Sequence, residues 1–220
     1  MSFSTTAIAG LILQCTSGVA PETVKAIIDV ESGGNPWVIA SVTDKKSFYL
    51  PDRAAAEAVA KELTDSGKNF SAGPMQINSS NFSAYGLDYH TVFEPCNNLK
   101  TGAAILKKCW SSASQYQDRK ERLKASLSCY YSGNFTRGLI AKGGEKQSYV
   151  ELIVNASERL SHDMVPSVRI LSGEPDSSDK YESQTSSHVQ QTKTKYFFTG
   201  EEITDGPVWD VFSDPNPASE

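Results

Sequence analysis

Apolar side chains recur at helical spacing through the first 160 residues and then cease to do so. Val24, Ile27 and Ile28 mark one helix, which Pro21 opens and Gly33-Gly34 closes. Pro51-Asp52 introduces an alanine-rich helix over 54–66, with Ala55, Ala58, Val59, Glu62 and Leu63 at helical spacing and Gly67 as its stop. A short helix is predicted over 79–85, closed by Gly86. Leu99, Ala103, Leu106 and Trp110 form one stripe of a helix over 98–112. Two more helices are predicted over 121–130, ending at Ser132-Gly133, and over 147–160. Strand signals are confined to 48–50 and 75–78, which are expected to pair briefly. The pattern predicts a mainly α domain with minimal β-structure over 1–160.

The apolar run 7–13 admits two readings. No Lys or Arg precedes it, so a secretory leader would lack its positive region. It reads equally as a first helix that begins near Ser4 or Thr5 and carries Cys15 at its end. No segment is long enough to span a bilayer. From 161 to 220 the texture turns to Ser, Thr, Gln, Asp, Glu and Pro, which predicts a disordered acidic tail. Two apolar islands interrupt it, Tyr196-Phe197-Phe198 and Val208-Trp209-Asp210-Val211-Phe212. These are either docking motifs or stray apolar residues.

Charge is divided unevenly. The tail holds 4 Lys and Arg against 11 Asp and Glu, leaving 17 against 15 in the body. A near-neutral body with an acidic tail argues against a nucleic-acid partner, which calls for a basic face. Four widely spaced cysteines, no CxxC pair and three scattered histidines argue against a zinc site, and no cofactor motif is present. An even cysteine count suits two disulfides and an oxidising compartment, with reduced core cysteines as the alternative.

Continuing the Val24, Ile27, Ile28 series by three places Glu31 on the buried stripe in the last turn of its helix. There, apolar surroundings and the unpaired carbonyl ends disfavour the ionised carboxylate and raise its pKa. A carboxylic acid still protonated near neutral pH can act as a general acid. The competing reading leaves Glu31 partly exposed at a helix end, reaching a lysine or water.

Four separated motifs bear on that choice. They are Glu31-Ser32-Gly33-Gly34-Asn35-Pro36, Gly73-Pro74-Met75-Gln76-Ile77-Asn78, Asn98-Leu99 with Gly102 and Leu106, and Cys129-Tyr130-Tyr131-Ser132-Gly133-Asn134. In this order they resemble the motifs of lysozyme-like lytic transglycosylases. The helix inserted over 52–66 and the run Phe93-Glu94-Pro95-Cys96-Asn97-Asn98-Leu99 narrow the resemblance to the specialised transglycosylases of bacterial type IV secretion systems, over about residues 8–155. The resemblance implies a lysozyme-like fold and a periplasmic enzyme. Its substrate would be peptidoglycan glycan strands, which it would open locally for a secretion or conjugation machine. Components of that machine would be its partners, with the tail as a candidate contact.

Carried over residue by residue, the resemblance makes Glu31 the catalytic acid and Ser32 the small polar residue after it. It places Gln76 in the glycan cleft with Met75 and Asn78 beside it. Asn98 becomes a structural motif residue, and Tyr130 a tyrosine whose hydroxyl can approach the carboxylate. Two departures stand out. Pro74 removes a backbone donor beside the cleft, and Tyr131 replaces the usual asparagine, leaving open which of Tyr130 and Tyr131 faces substrate. Glycosidases ordinarily use two carboxylates, and no second one is evident in the motifs. The resemblance resolves this by having Glu31 act first as acid and then as base, producing a 1,6-anhydromuramoyl end. The alternatives are a lysozyme-type hydrolase, an assembly factor without activity, and, least favoured by the cysteines and the lack of a P-loop, an intracellular regulator.

Four cysteines allow three pairings. Cys96 and Cys109 lie at opposite ends of one helix, roughly 20 Å apart, beyond the reach of a disulfide. If the next helix returns antiparallel, Cys129 comes back to Cys96, which leaves Cys15 for Cys109.

Overall fold

The computed structural model describes residues 5–163, with side chains over 7–160. The expected acidic tail and its apolar islands therefore lie outside the described residues. Helix α1 (Thr5–Cys15) and helix α2 (Pro21–Ser32) are followed by strands β1 (Val38–Ser41) and β2 (Lys46–Tyr49), then helix α3 (Arg53–Asp65). Strands β3 (Phe70–Ala72) and β4 (Ile77–Asn78) lead into the short helix α4 (Phe82–Tyr85), and the long helices α5 (Pro95–Ser112), α6 (Arg119–Ser132) and α7 (Tyr149–Asp163) complete the domain. The architecture is mostly helical with one small sheet.

Helix α2 lies at the centre of the helical part, packed against α1 and α7. Its Val24, Ile27 and Ile28 are fully buried, as are Leu99 of α5, Leu127 of α6 and Ile153 of α7. Each such side chain contributes about 1.5–3 kcal/mol relative to an exposed one. The helix stops where predicted because Gly33 takes the left-handed conformation (φ 59°) and its N–H donates to the Asp29 carbonyl at 3.1 Å. Helix α1 takes the second of the two readings open for the apolar run. It buries Ile8, Ile12 and Cys15 against the core.

The sheet runs β2-β1-β3-β4, antiparallel throughout. The two expected strand segments are thus not partners. They lie at opposite edges, separated by β1, whose apolar Val38, Ile39 and Ala40 carry no alternation, and by β3, which is too short to show a period. Helix α3 buries Ala56, Ala60 and Leu63, whereas Ala58 is exposed and Ala55 half-buried. A run of alanines offers little contrast between faces, so the expected stripe was one residue out of phase. Asp52 caps this helix, accepting from the Ala55 N–H at 2.9 Å. Arg53 pairs with Glu94, and Glu57 with His90 at 2.7 Å, which ties α3 to the turn before α5.

The expected pairs Cys96–Cys129 and Cys15–Cys109 do not form. Cys15 is bonded to Cys96, with Cα atoms 5.3 Å apart, and Cys109 to Cys129, 5.8 Å apart. The expectation assumed that α6 retraces α5 to its start. Cys129 instead meets the last turns of α5, although roughly ten residues of α6, about 15 Å of helix, precede it. The connection 113–118 therefore carries the start of α6 well beyond the end of α5. The Arg122 guanidinium fixes the stagger by donating to the Trp110 carbonyl at 2.8 and 3.0 Å. Cys96 is left at the start of α5, where α1 ends beside it.

Non-reducing peptide mapping is expected to recover Cys15 linked to Cys96 and Cys109 linked to Cys129; a peptide joining Cys96 to Cys129 would refute the stagger. Removing the first bridge, which spans 81 residues, should cost more than removing the second, which spans 20. Chain entropy sets the two at about 4.5 and about 3.3 kcal/mol, measured by denaturant unfolding.

Candidate active site

Glu31 sits in the last turn of α2, where the buried stripe meets the open end of the helix. The residue keeps some exposed surface, but its Oε2 is buried and has no hydrogen-bond partner. Oε1 accepts a hydrogen bond from the Tyr149 hydroxyl at 2.7 Å. Burial pushes the carboxyl up from 4.5 to about 8, and the Tyr149 bond pulls against that shift. A group with this pKa is mostly protonated at neutral pH.

Two other tyrosines feel the charge of Glu31. Tyr130 and Tyr149 are pushed well above the usual phenol value, and Tyr131 to about 12, in each case first by burial and then by the Glu31 carboxylate. The Tyr131 and Tyr149 rings stack, with centroids 4.4 Å apart and planes 15° from parallel. Tyr149 is the partner that sequence reasoning missed. It opens α7, and a signal for its position was present in Ser148-x-x-Glu151. Ser148 N–H donates to Glu151 Oε2 at 2.8 Å and Glu151 N–H to Ser148 Oγ at 3.3 Å, a capping box that starts the helix at Tyr149.

The motif from Gly73 to Asn78 forms the β3–β4 connection. Gln76 N–H donates to the Gly73 carbonyl at 3.0 Å, closing a turn with Pro74 second, where its fixed φ fits. Asn98, fully buried, grips this turn. Its Oδ1 accepts from Met75 N–H at 2.8 Å, and its Nδ2 donates to the Ala72 and Val92 carbonyls at 3.0 Å each. The Tyr130 hydroxyl donates to the Met75 carbonyl at 2.7 Å, so the Met75 backbone is held at both ends. Two glycines make this closeness possible. A Cβ on Gly73 (φ +79°) would lie 2.2 Å from Asn98 Nδ2, and one on Gly102 would lie 2.5 Å from Met75 Sδ.

Among the residues expected at the site, Glu31, Tyr130 and Tyr131 are brought together. Tyr130 contributes its hydroxyl to the Met75 carbonyl rather than to the carboxyl. Gln76 takes a left-handed conformation (φ 47°), and its Nε2 donates to the Val38 and Gly73 carbonyls at 3.1 and 2.9 Å, which joins the turn to β1. The Ser32 hydroxyl donates to the Ile28 carbonyl at 3.0 Å and accepts from Gly34 N–H at 3.2 Å, shaping the turn after Glu31. Met75 and Asn78 were expected beside the substrate, but both side chains are buried. Met75 packs on Gly102, and Asn78 exchanges amide hydrogen bonds with Asn69 at 2.7 and 3.1 Å while accepting from Ser80 N–H. Among the described residues no three of His, Cys, Asp and Glu gather to hold a metal ion.

The site is thus a buried carboxyl at a helix end, bonded to Tyr149 and near Tyr130, whose hydroxyl holds a turn that Asn98 clamps onto α5. Residues 12–148 match the family model of the Transglycosylase SLT domain, and the chain belongs to that family. Over 150 residues, 67% of its length, it is 40% identical to the type IV secretion system protein virB1 of Brucella abortus, covering 63% of that protein. Over 147 residues it is 31% identical to protein virB1 of Agrobacterium fabrum, covering 58% of that protein. The chain is thus similar to these relatives across less than two thirds of their length. No solved structure matches it.

In the folded chain Glu31 holds its proton to about pH 8, whereas the unfolded carboxyl releases it near 4.5. The folded state then binds more protons between those values, so the stability this proton confers is complete below 4.5 and is lost as pH rises toward 8. Glu31→Gln carries no such proton. Urea unfolding is expected to show wild type losing on the order of 3 kcal/mol relative to Glu31→Gln between pH 4.5 and 7. Parallel profiles would mean that Glu31 titrates normally. Tyr149→Phe removes the bond that opposes the shift and should move the midpoint higher.

Proposed function

We propose that the chain is a peptidoglycan lytic transglycosylase that acts in the periplasm and opens the wall locally for a type IV secretion machine. The reading rests on one observation above the rest. Glu31 presents a buried carboxyl with one oxygen bonded to Tyr149 and the other, Oε2, without a partner. When protonated, Oε2 is a donor with nothing to donate to, which costs about 1–3 kcal/mol in a buried site. A glycosidic oxygen would relieve that cost. Because Oε2 is buried, the glycan must displace what covers it, so binding and local opening are one step.

In this mechanism Glu31 donates its proton to the oxygen linking N-acetylmuramic acid to N-acetylglucosamine, and the bond from C1 to that oxygen breaks. The new carboxylate takes the proton of the muramoyl C6 hydroxyl, whose oxygen bonds to C1. The product carries a 1,6-anhydro ring, Glu31 is again protonated, and no water is consumed. A raised pKa serves both halves, because a group near neutrality gives and takes a proton with similar ease. Burial raises the Glu31 pKa against the opposing Tyr149 bond, with no carboxylate among the described residues contributing, which supports one acid acting twice over a pair of acids. The secretion context is supported by the similarity to the type IV secretion system protein virB1 of Brucella abortus. The periplasmic setting is supported by two disulfides, which persist in oxidising compartments.

Glu31→Gln is expected to fold and to lose at least ~100-fold of its glycan-solubilising activity on isolated sacculi. Mass spectrometry of wild-type digests should show 1,6-anhydromuramoyl ends. Reducing muramic acid ends as the main product would replace this mechanism with hydrolysis.

A further inference from the structure

Lys142 stands between the 3-10 turn Arg137–Leu139 and α7, on a segment that no functional motif covers. Its ammonium lies 5.1 Å from the centre of the Tyr131 ring. Tyr149 stacks on one face of that ring, so the ammonium has the other. Lysine, Tyr131, Tyr149 and the Glu31 carboxyl thus form one continuous series, and the lysine marks its outer end.

Lys142 forms no ion pair among the described residues. The charges near enough to act on it are Glu145, which favours its charged form, and Arg137, which opposes it. Partial burial adds to the opposition and lowers its pKa. An aromatic face returns about 0.5–2 kcal/mol to a cation, a weak return for one removed in part from water. An ammonium held in this way, near a second cation and two stacked rings from the Glu31 carboxyl, is poised to receive an anion.

Resting on the transglycosylase reading, we propose that Lys142 is a specificity-determining residue that binds a carboxylate of the glycan substrate. Tyr131, which stands where the resemblance expects asparagine, provides the platform that holds the ammonium in place. The carboxylate has two sources in peptidoglycan, the stem peptide or the lactyl group of a muramic acid stripped of its peptide. The recognition chemistry is the same for both.

The test is sedimentation binding to purified sacculi in a Glu31→Gln background, which keeps the glycan intact. Four substrates are compared: intact sacculi, amidase-stripped sacculi, and each of these after carbodiimide amidation of its carboxylates. Adding Lys142→Met is expected to weaken binding ~10-fold on carboxylate-bearing substrate, to have no effect beyond about twofold on amidated substrate, and to be rescued by Lys142→Arg. Loss confined to intact sacculi assigns the stem peptide, and loss that persists on stripped sacculi assigns the lactyl group. Amidation alone must weaken binding of the Lys142-bearing chain by a similar factor, a check that needs no variant at Lys142. Equal loss on amidated substrate, or no loss anywhere, overturns the proposal. Release of soluble glycan by Glu31→Gln would overturn the transglycosylase reading, and that readout is separate from a loss of binding to sedimented sacculi.

Discussion

Removing a carboxylate from water costs more than the single hydrogen bond from Tyr149 returns, and that imbalance sets the chemistry of Glu31. The environment responsible is built from distant parts of the chain. Helix α2 supplies the acid, α6 supplies Tyr130 and Tyr131, and α7 supplies Tyr149. None of these tyrosines offers a positive charge that would hold the carboxylate ionised. The helical core therefore works as a solvent of low polarity for one group, and the packing of α7 along α2 is what keeps Tyr149 at hydrogen-bonding distance.

The second constraint is mechanical. The turn after β3 is fixed through the Met75 backbone, whose carbonyl accepts from Tyr130, a tyrosine that feels the Glu31 charge. Asn98 takes the N–H and Tyr130 takes the carbonyl, so α5 and α6 each hold one end of the same residue. Buried amides of this kind are rigid because every alternative leaves a polar group unpaired. The glycines at 73 and 102 are the steric condition for the clamp. The missing N–H of Pro74, which looked like a lost donor beside the cleft, falls at the one turn position for which proline is preorganised.

Much of this was legible in the sequence. Helical periodicity located α2, α5, α6 and α7 within a few residues, and extrapolating the Val24, Ile27, Ile28 stripe was enough to place Glu31 in an uncomfortable setting. What could not be read were relations that depend on how elements cross. The disulfide pairs follow from the stagger of α6 on α5, which the connection 113–118 sets and no periodicity encodes. Strands of two to four residues are too short to reveal their partners, which is why the order of the sheet had to come from the structure. Alanine-rich α3 hid its buried face because alanine suits either side. Tyr149 escaped because it lies one residue beyond the span matched by the family and outside all four motifs, although the capping box beside it marked where its helix begins.

In the free protein Glu31 is protonated at neutral pH. Infrared difference spectroscopy of wild type against Glu31→Gln, recorded as a function of pH, reads that proton directly through the carbonyl band of the acid. The band should persist through neutrality and disappear with a midpoint of about 8. A midpoint near 4.5, the ordinary value for glutamate, would contradict the account.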